Sequence, residues 1–315
     1  MRVTVLAGGV GGARFVRGLR AALGDADDHE ITVVVNTGDD LWLSGVRLQP
    51  DVDSILYALA GVNDTERGWG RAGESERVSA ELREWGAGWP WFTLGDLDLG
   101  THLARTGWLR EGLTYTQVAE RLASRWPIGV RLLPMTDAEV DTYVVIEDGS
   151  RLHFQEWWTR HRAALRALEF QNPGIAEAVP APGVTDAIET ADVVLVAPSN
   201  PVVSIGPILA VPGIRDALAR ARRVVGISPI IGGRVVRGMA DACLSAIGVE
   251  TSAAAVARHY GRRADGGLLD MWLVAEEDAG LAPDLAADGW DVRVTPLWMT
   301  DLERSAALAR AATAE

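Results

Sequence analysis

A Rossmann-like α/β fold, a doubly wound and mostly parallel sheet, is predicted for this 315-residue chain by three features. The first apolar run, residues 2–7 (RVTVLA), ends in GGVGG and leads into ARFVRGLRAAL, where apolar residues recur at helical spacing. A second apolar run, residues 31–35, begins about thirty residues later, the length of one right-handed strand–helix–strand crossover. Short apolar runs then return at 193–197, Val224–Ile227, Met271–Val274 and 292–294, with helical segments such as 214–221 and Ala253–Tyr260 between them. From 51 to about 126 the pattern is helical and rich in Trp, which reads as a helical insertion able to cover a ligand. Residues 130–154 read as short strands, with Asp148-Gly149 as a hairpin turn, and so as a small strand extension. The Pro- and Gly-rich stretch 170–183 is too short for a linker, and no internal repeat is present, so 1–315 is expected to form one domain.

Composition removes several classes of function. A net charge of −13 has the wrong sign for a protein that tracks nucleic-acid phosphates. The basic residues are all Arg, so mechanisms that need a phosphate-loop or Schiff-base lysine are excluded. One cysteine, Cys243, rules out an internal disulfide and a multi-cysteine metal site, and its apolar helical setting reads as a packed thiol. No apolar run reaches the ~18 residues of a membrane span and the N-terminus opens on a strand, so a soluble, cytoplasmic protein is expected.

Chemistry concentrates where strands end. Gly8, Gly9, Gly11 and Gly12 form a turn that lets backbone amides and a helix start approach an anion, which reads as phosphate binding; a plain strand-to-helix turn is the alternative. A dinucleotide oxidoreductase would place one ribose-binding acid at the end of the second strand; this chain has Asn36-Thr37-Gly38-Asp39-Asp40 instead. Asp39 and Asp40, with Asp51 and Asp53 in PDVD, bring four carboxylates to the crevice. Carboxylates beside a phosphate need a cation, and Mg2+ suits carboxylates, water and phosphate oxygens, so Asp39, Asp40 and Asp51 are candidate metal ligands. Capping of the following helix is the alternative for Asp51 and Asp53. The loops APSNPVVSIGP and ISPIIGG leave strands with turn-forming polar residues, and Ser199, Asn200 and Pro201 read as one wall of a nucleotide pocket. Thr136, Asp137, His153 and Gln155 stand as candidates for reading a ring edge or as ordinary turn and packing residues. His102 and His161 lack metal-ligand companions in sequence and read as structural.

Taken in order, GGVGGARF, NTGDDLWLSG, PDVDSILYALAG, LGDLDLGTHL, LPMTD, HFQEWW, APSNPVVSIGPIL, SPIIGG and GMADACL resemble the CofD-type 2-phospho-L-lactate transferases of deazaflavin coenzyme F-420 biosynthesis, in their actinobacterial, phosphoenolpyruvate-transferring form. The resemblance spans nearly the whole chain. It implies transfer of a phosphoenolpyruvyl or 2-phospholactyl group from its guanosine diphosphate ester to the deazaflavin Fo, release of GMP, dependence on magnesium, and a homodimer. It further implies that Asp53 and Thr93 contact the deazaflavin and that Asp40 belongs to the acidic element. Two positions depart from the family pattern: Thr93 stands where many relatives have Lys, and Leu97 where they have Arg. In the chemistry so implied, Asp53 orients or deprotonates the acceptor hydroxyl, with Asp40 as its catalytic companion. Regulatory relatives that bind nucleotide sugars without chemistry share the glycine start and acidic pair, but not the PDVD, LGDxD and SNP…SIGP set.

Overall fold

The computed structural model describes residues 1–24 and 29–314. Seven parallel strands form the central sheet: β1 (Arg2–Ala7), β2 (Glu30–Val35), β3 (Arg131–Pro134), β4 (Val193–Val196), β5 (Val224–Ile227), β6 (Met271–Val274) and β7 (Asp291–Val294). Their spatial order is β3-β2-β1-β4-β5-β6-β7. Chain order therefore reverses between β1 and β4, and at such a switch point the connections leave in opposite directions and open a crevice at the strands' carboxyl ends.

The apolar runs are continuous because both faces of the sheet are covered. Successive side chains alternate: Val3, Val5, Val33, Val35, Val193 and Leu195 pack with Phe15, Val16, Ile55, Leu56 and Leu308 on one face. Leu6, Val34, Val194 and Val196 pack with Ile205, Ile208, Ile214, Leu218 and Val256 on the other. The first face is covered by α1 (Gly9–Leu23), α2 (Pro50–Ala60) and the C-terminal helix Leu302–Thr313.

The connection between β2 and β3 carries the predicted helical insertion, with α3 (Arg77–Glu84), α4 (Asp96–Arg110) and α5 (Tyr115–Ala123). It differs from expectation at its start, because α2 buries Val52, Ile55, Leu56 and Leu59 in the main core rather than in a cap. A short hairpin, Leu41–Leu43 with Val46–Leu48, shares its own small core with Leu94. The strand extension is also differently bounded. Arg131–Pro134 pairs with β2 as the edge of the central sheet, and the separate three-stranded sheet is made by Tyr143–Ile146, Arg151–His153 and Ala167–Gln171. Asp148 and Gly149 form the expected turn, with Gly149 at φ 81°. Cys243 is buried under this sheet with Val144, Phe154 and Trp157, as a packed thiol should be, and burial pushes its pKa up to about 12.

The C-terminal helix lies close against α1 at Gly18, where an added Cβ would stand 2.5 Å from Ser305 backbone and side-chain carbon. Gly18→Ala is therefore expected to lose about 1–3 kcal/mol of stability, overpacking outweighing the better helix propensity of Ala. Urea unfolding would measure this, and an unchanged midpoint would show that the two helices part without cost.

Candidate active site

The crevice is built from the first residues beyond β1, β2 and β4. Ser199, just past β4, hydrogen-bonds both backbone groups of Gly8, accepting its N–H at 3.1 Å and donating to its carbonyl at 2.7 Å. Helix α1 starts at Gly9, so Gly9, Gly11 and Gly12 lie in its first turn rather than in a loop before it. Gly9 needs glycine for its backbone, φ 63°. Gly8, Gly11 and Gly12 are required by close approach: a Cβ there would strike Asp51 and Ser204, the Pro198 carbonyl, and Ser199 and Ala7 respectively. The anion at the glycine turn is thus the chain's own Asp51 carboxylate, which receives the Gly9 backbone N–H.

Beyond β2 the buried acids separate into two directions. Asn36 donates through one amide nitrogen to Asp39 at 3.2 Å and to Asp51 at 2.9 Å, bridging the two carboxylates. Burial holds Asp39 well above the usual carboxylate range, and the Asp51 charge adds to it. Burial also raises Asp51 to about 6, against the opposing hydrogen bonds from Asn36 and Gly9. Asp40 faces the other way: it accepts from Gln49 at 2.7 Å and lies 3.7 Å from Arg47, whose fork is engaged by Asp141 at 2.6 and 2.9 Å. Burial outweighs these partners, and Asp40 is likewise raised, with its Oδ1 left without a hydrogen-bond partner among the described residues.

Asp51 and Asp53 both fall in the first turn of α2, yet neither caps it. Asp53 pairs with Arg105, a fully buried guanidinium on α4, and its Oδ2 lies 3.6 Å from His102 Nδ1. Asp98 accepts the Tyr57 hydroxyl at 2.8 Å and stands 3.4 Å from His102 Nε2. Burial alone would raise Asp98, but His102 and Tyr57 outweigh it and the carboxyl sits below its ordinary value.

Two places can be tested for a divalent cation. Ligand atoms of Asp53, Asp98 and His102 lie within 4.8 Å of one another, which gives His102 the companions its sequence lacked. Arg105 already neutralises Asp53 and touches His102 Nδ1 at 2.9 Å, and an imidazole suits transition metals better than Mg2+. The Asp39–Asp51 pair offers two carboxylates with no cationic side chain bonded to them among the described residues, and fits Mg2+ better. Asp40, the third expected ligand, shares this strand end but turns toward Arg47 and Gln49.

Thr93 is half-buried in the loop before α4, two residues after Trp91, whose ring stacks on that of Trp89 at 4.6 Å. Trp89 also lies 6.0 Å from the ring of His153, and His153 Nε2 is 3.1 Å from the Asp40 carbonyl, so an aromatic surface adjoins the acids. The remaining candidates make hydrogen bonds within the protein. Thr136 donates to the Val179 carbonyl and accepts the Ala138 N–H, and Asp137 accepts both the N–H and the hydroxyl of Thr116. Asn200 accepts the N–H groups of Val202 and Val203, closing the turn that Pro201 begins. Arg47, Gln49, Asp141, Asp98 and Arg105 were not singled out from sequence; only the last two carried a signal, lying with His102 at helical spacing 98, 102, 105 on α4.

The raised Asp51 pKa has a definite sign. Between 3.8 and about 6 the folded chain keeps a proton that the unfolded chain releases, so this group lowers stability as pH rises through that window. In chelator-containing buffer, Asp51→Asn should match wild type near pH 4 and exceed it by up to about 3 kcal/mol near pH 7.5. Paired denaturant curves measure the difference, and a difference independent of pH would contradict it.

A family model described as 2-phospho-L-lactate transferase CofD matches residues 3–296. Curated relatives named phosphoenolpyruvate transferase include those of Thermobifida fusca, 55% identical over 99% of this chain and 97% of its own, and Streptomyces coelicolor, 53% identical with the same coverage. The Nocardia farcinica protein of that name is 52% identical over 99% of this chain and 93% of its own. A crystal structure of a Bacillus halodurans member of the UPF0052 family shares the fold, with a TM-score of 0.62, 20% identity and 98% of each chain covered. With its acidic crevice at the sheet's switch point, the chain belongs to the 2-phospho-L-lactate transferase CofD family and is a transferase.

Proposed function

We propose that this protein transfers a phosphoenolpyruvyl group, or its 2-phospholactyl counterpart, from the guanosine diphosphate ester to the deazaflavin Fo, giving GMP and the shortest, dehydro or saturated, form of coenzyme F-420. The observation that carries the reading is the buried Asp39–Asp51 pair at the switch-point crevice, with Asp40 Oδ1 and Asp53 Oδ2 nearby, neither of which has a hydrogen-bond partner among the described residues. The names of the curated relatives supply the donor class.

In this reading Asp39 and Asp51, with Asp40 on the same strand end, hold Mg2+, which when bound neutralises charge on the diphosphate. The hydroxyl oxygen of Fo attacks the phosphorus that bears the three-carbon acid, the P–O bond to GMP breaks with its electron pair leaving on GMP, the hydroxyl proton passes to water, and in-line positioning does most of the work. Asp53 Oδ2 receives the acceptor hydroxyl, while Arg105 fixes the other oxygen and favours orienting the hydroxyl over holding its proton. Trp89 and Trp91, next to Thr93, present flat faces of the kind a deazaflavin ring stacks on.

Turnover should vanish with EDTA and return with magnesium, and full activity in metal-free buffer would overturn the charge argument. Asp40→Asn is expected to slow transfer at least ~10²-fold with the circular dichroism spectrum unchanged. Asp53→Ala should lose ~10²- to 10⁴-fold in rate while guanosine diphosphate still binds; a variant keeping more than about a tenth of the rate would remove Asp53 from the acceptor site. Mass spectrometry of the product from Fo and each donor identifies the three-carbon acid. We also place the protein in the cytoplasm as a homodimer, and light scattering that gives a monomer mass at micromolar concentration would count against the dimer.

A further inference from the structure

The positive charges closest to the acids are already committed. Arg47 is forked onto Asp141 and Arg105 is bound to Asp53, while the start of α1 is taken by Asp51. Beyond the Mg2+ of the reading above, any cationic side chain for a diphosphate must therefore come from another part of the surface.

They lie one step along α1. Val10, Arg14 and Arg17 are spaced i, i+4, i+7 and share one stripe of the helix, with both arginines exposed. Ser54, Tyr57 and Ala58 of α2 face them across a cleft of about 90 Å³, which the loop 63–70 borders. Arg237 reaches the same cleft from the segment after β5 and donates to the Gly68 carbonyl at 3.4 Å. Among the described residues, Arg14 and Arg17 have no ion pair or hydrogen bond, and Arg237 has no carboxylate partner. The side chains of Ser54, Asn63 and Thr65 in the lining are likewise without hydrogen bonds among the described residues. Three guanidinium groups around one cleft, none of them paired with a carboxylate among the described residues, run against the net charge of −13. A larger groove, about 450 Å³, also contains arginines, but Arg258 there is paired with Asp288 and Arg262 with Asp265.

We propose that the α1–α2 cleft is a binding site for the diphosphate of a nucleotide, with Arg14, Arg17 and Arg237 holding its phosphate oxygens. The inference rests on the transferase reading above for the nucleotide's identity, that of the guanosine diphosphate ester. Guanidinium forks match phosphate oxygens in pairs, which suits a site built from Arg alone. Trp69, 41% exposed, lines the same cleft with Arg67 over its ring at 4.3 Å, and supplies a flat surface for the base. Ligand binding then joins loop 63–70 to the segment carrying Arg237.

Isothermal titration of the full chain with guanosine diphosphate, and separately with inorganic pyrophosphate, in magnesium buffer without Fo, tests the site. The double variant Arg14→Gln, Arg17→Gln is expected to bind both probes at least ~10-fold more weakly, with thermal unfolding unchanged, because both positions are exposed. Arg237→Gln alone should weaken guanosine diphosphate at least about 3-fold. Affinities within about two-fold of wild type in both variants would overturn the proposal. Loss of guanosine diphosphate binding with pyrophosphate binding intact would also overturn it, since the arginines would then act on the nucleoside. Transfer to Fo measured in parallel separates the two readings: arginine-dependent binding without transfer from any donor sinks the transferase reading alone, and transfer with arginine-independent binding sinks the cleft alone.

Discussion

Burial of four aspartates at one sheet edge is the constraint on which the site depends, because an unpaired buried carboxylate is costly and each must find a partner or a proton. Asp53 finds Arg105 and Asp40 finds Gln49 and Arg47. Among the described residues Asp39 and Asp51 find only one Asn36 amide between them, plus the Gly9 N–H on Asp51. Their raised pKa values are the consequence: the two hydrogen-bonding groups do not outweigh desolvation. This pair is therefore where, among the described residues, buried carboxylates lack a cationic side chain, and where a bound cation changes the balance most.

The same constraint explains the glycines. A strand-to-helix turn rich in Gly is read most readily as a phosphate cradle, yet here side chains at 8, 11 and 12 would collide with Asp51, Ser204, Pro198 and Ser199. Those contacts hold β1, β4 and α2 together at the switch point, so small residues are demanded by the protein's own packing before any ligand arrives. The helix dipole that favours an external anion serves instead to accommodate Asp51.

The fold was legible because strands buried on both faces leave continuous apolar runs, as in β1, β2, β4, β5 and β6. Arg131–Pro134 was assigned to the strand extension because four residues carry no sign of which sheet they join. Ala167–Gln171, in which only Ala167 is buried, carries too little apolar pattern to be read as a strand. The acids were legible as a local cluster in NTGDD and PDVD. Their partners were not, since Arg47 meets Asp141 across 94 residues and Arg105 meets Asp53 across 52, separations that no local pattern encodes. The helical spacing of Asp98, His102 and Arg105 was the exception: three polar residues on one stripe of α4 turn inward.

That stripe also bears on the two departures from the family pattern. Leu97 projects to the surface from the first turn of α4, 40% exposed, while Asp98 beside it turns inward to Tyr57 and His102. A neighbour pointing outward takes no part in compensating Asp98, so the absence of Arg at 97 leaves the buried cluster intact. Thr93 is different, because it sits in the loop that carries the stacked Trp89 and Trp91 toward His153 and Asp40. A hydroxyl at 93 brings no charge to that loop, whereas Arg14 and Arg17 stand uncommitted among the described residues and line the cleft that α1 forms with α2.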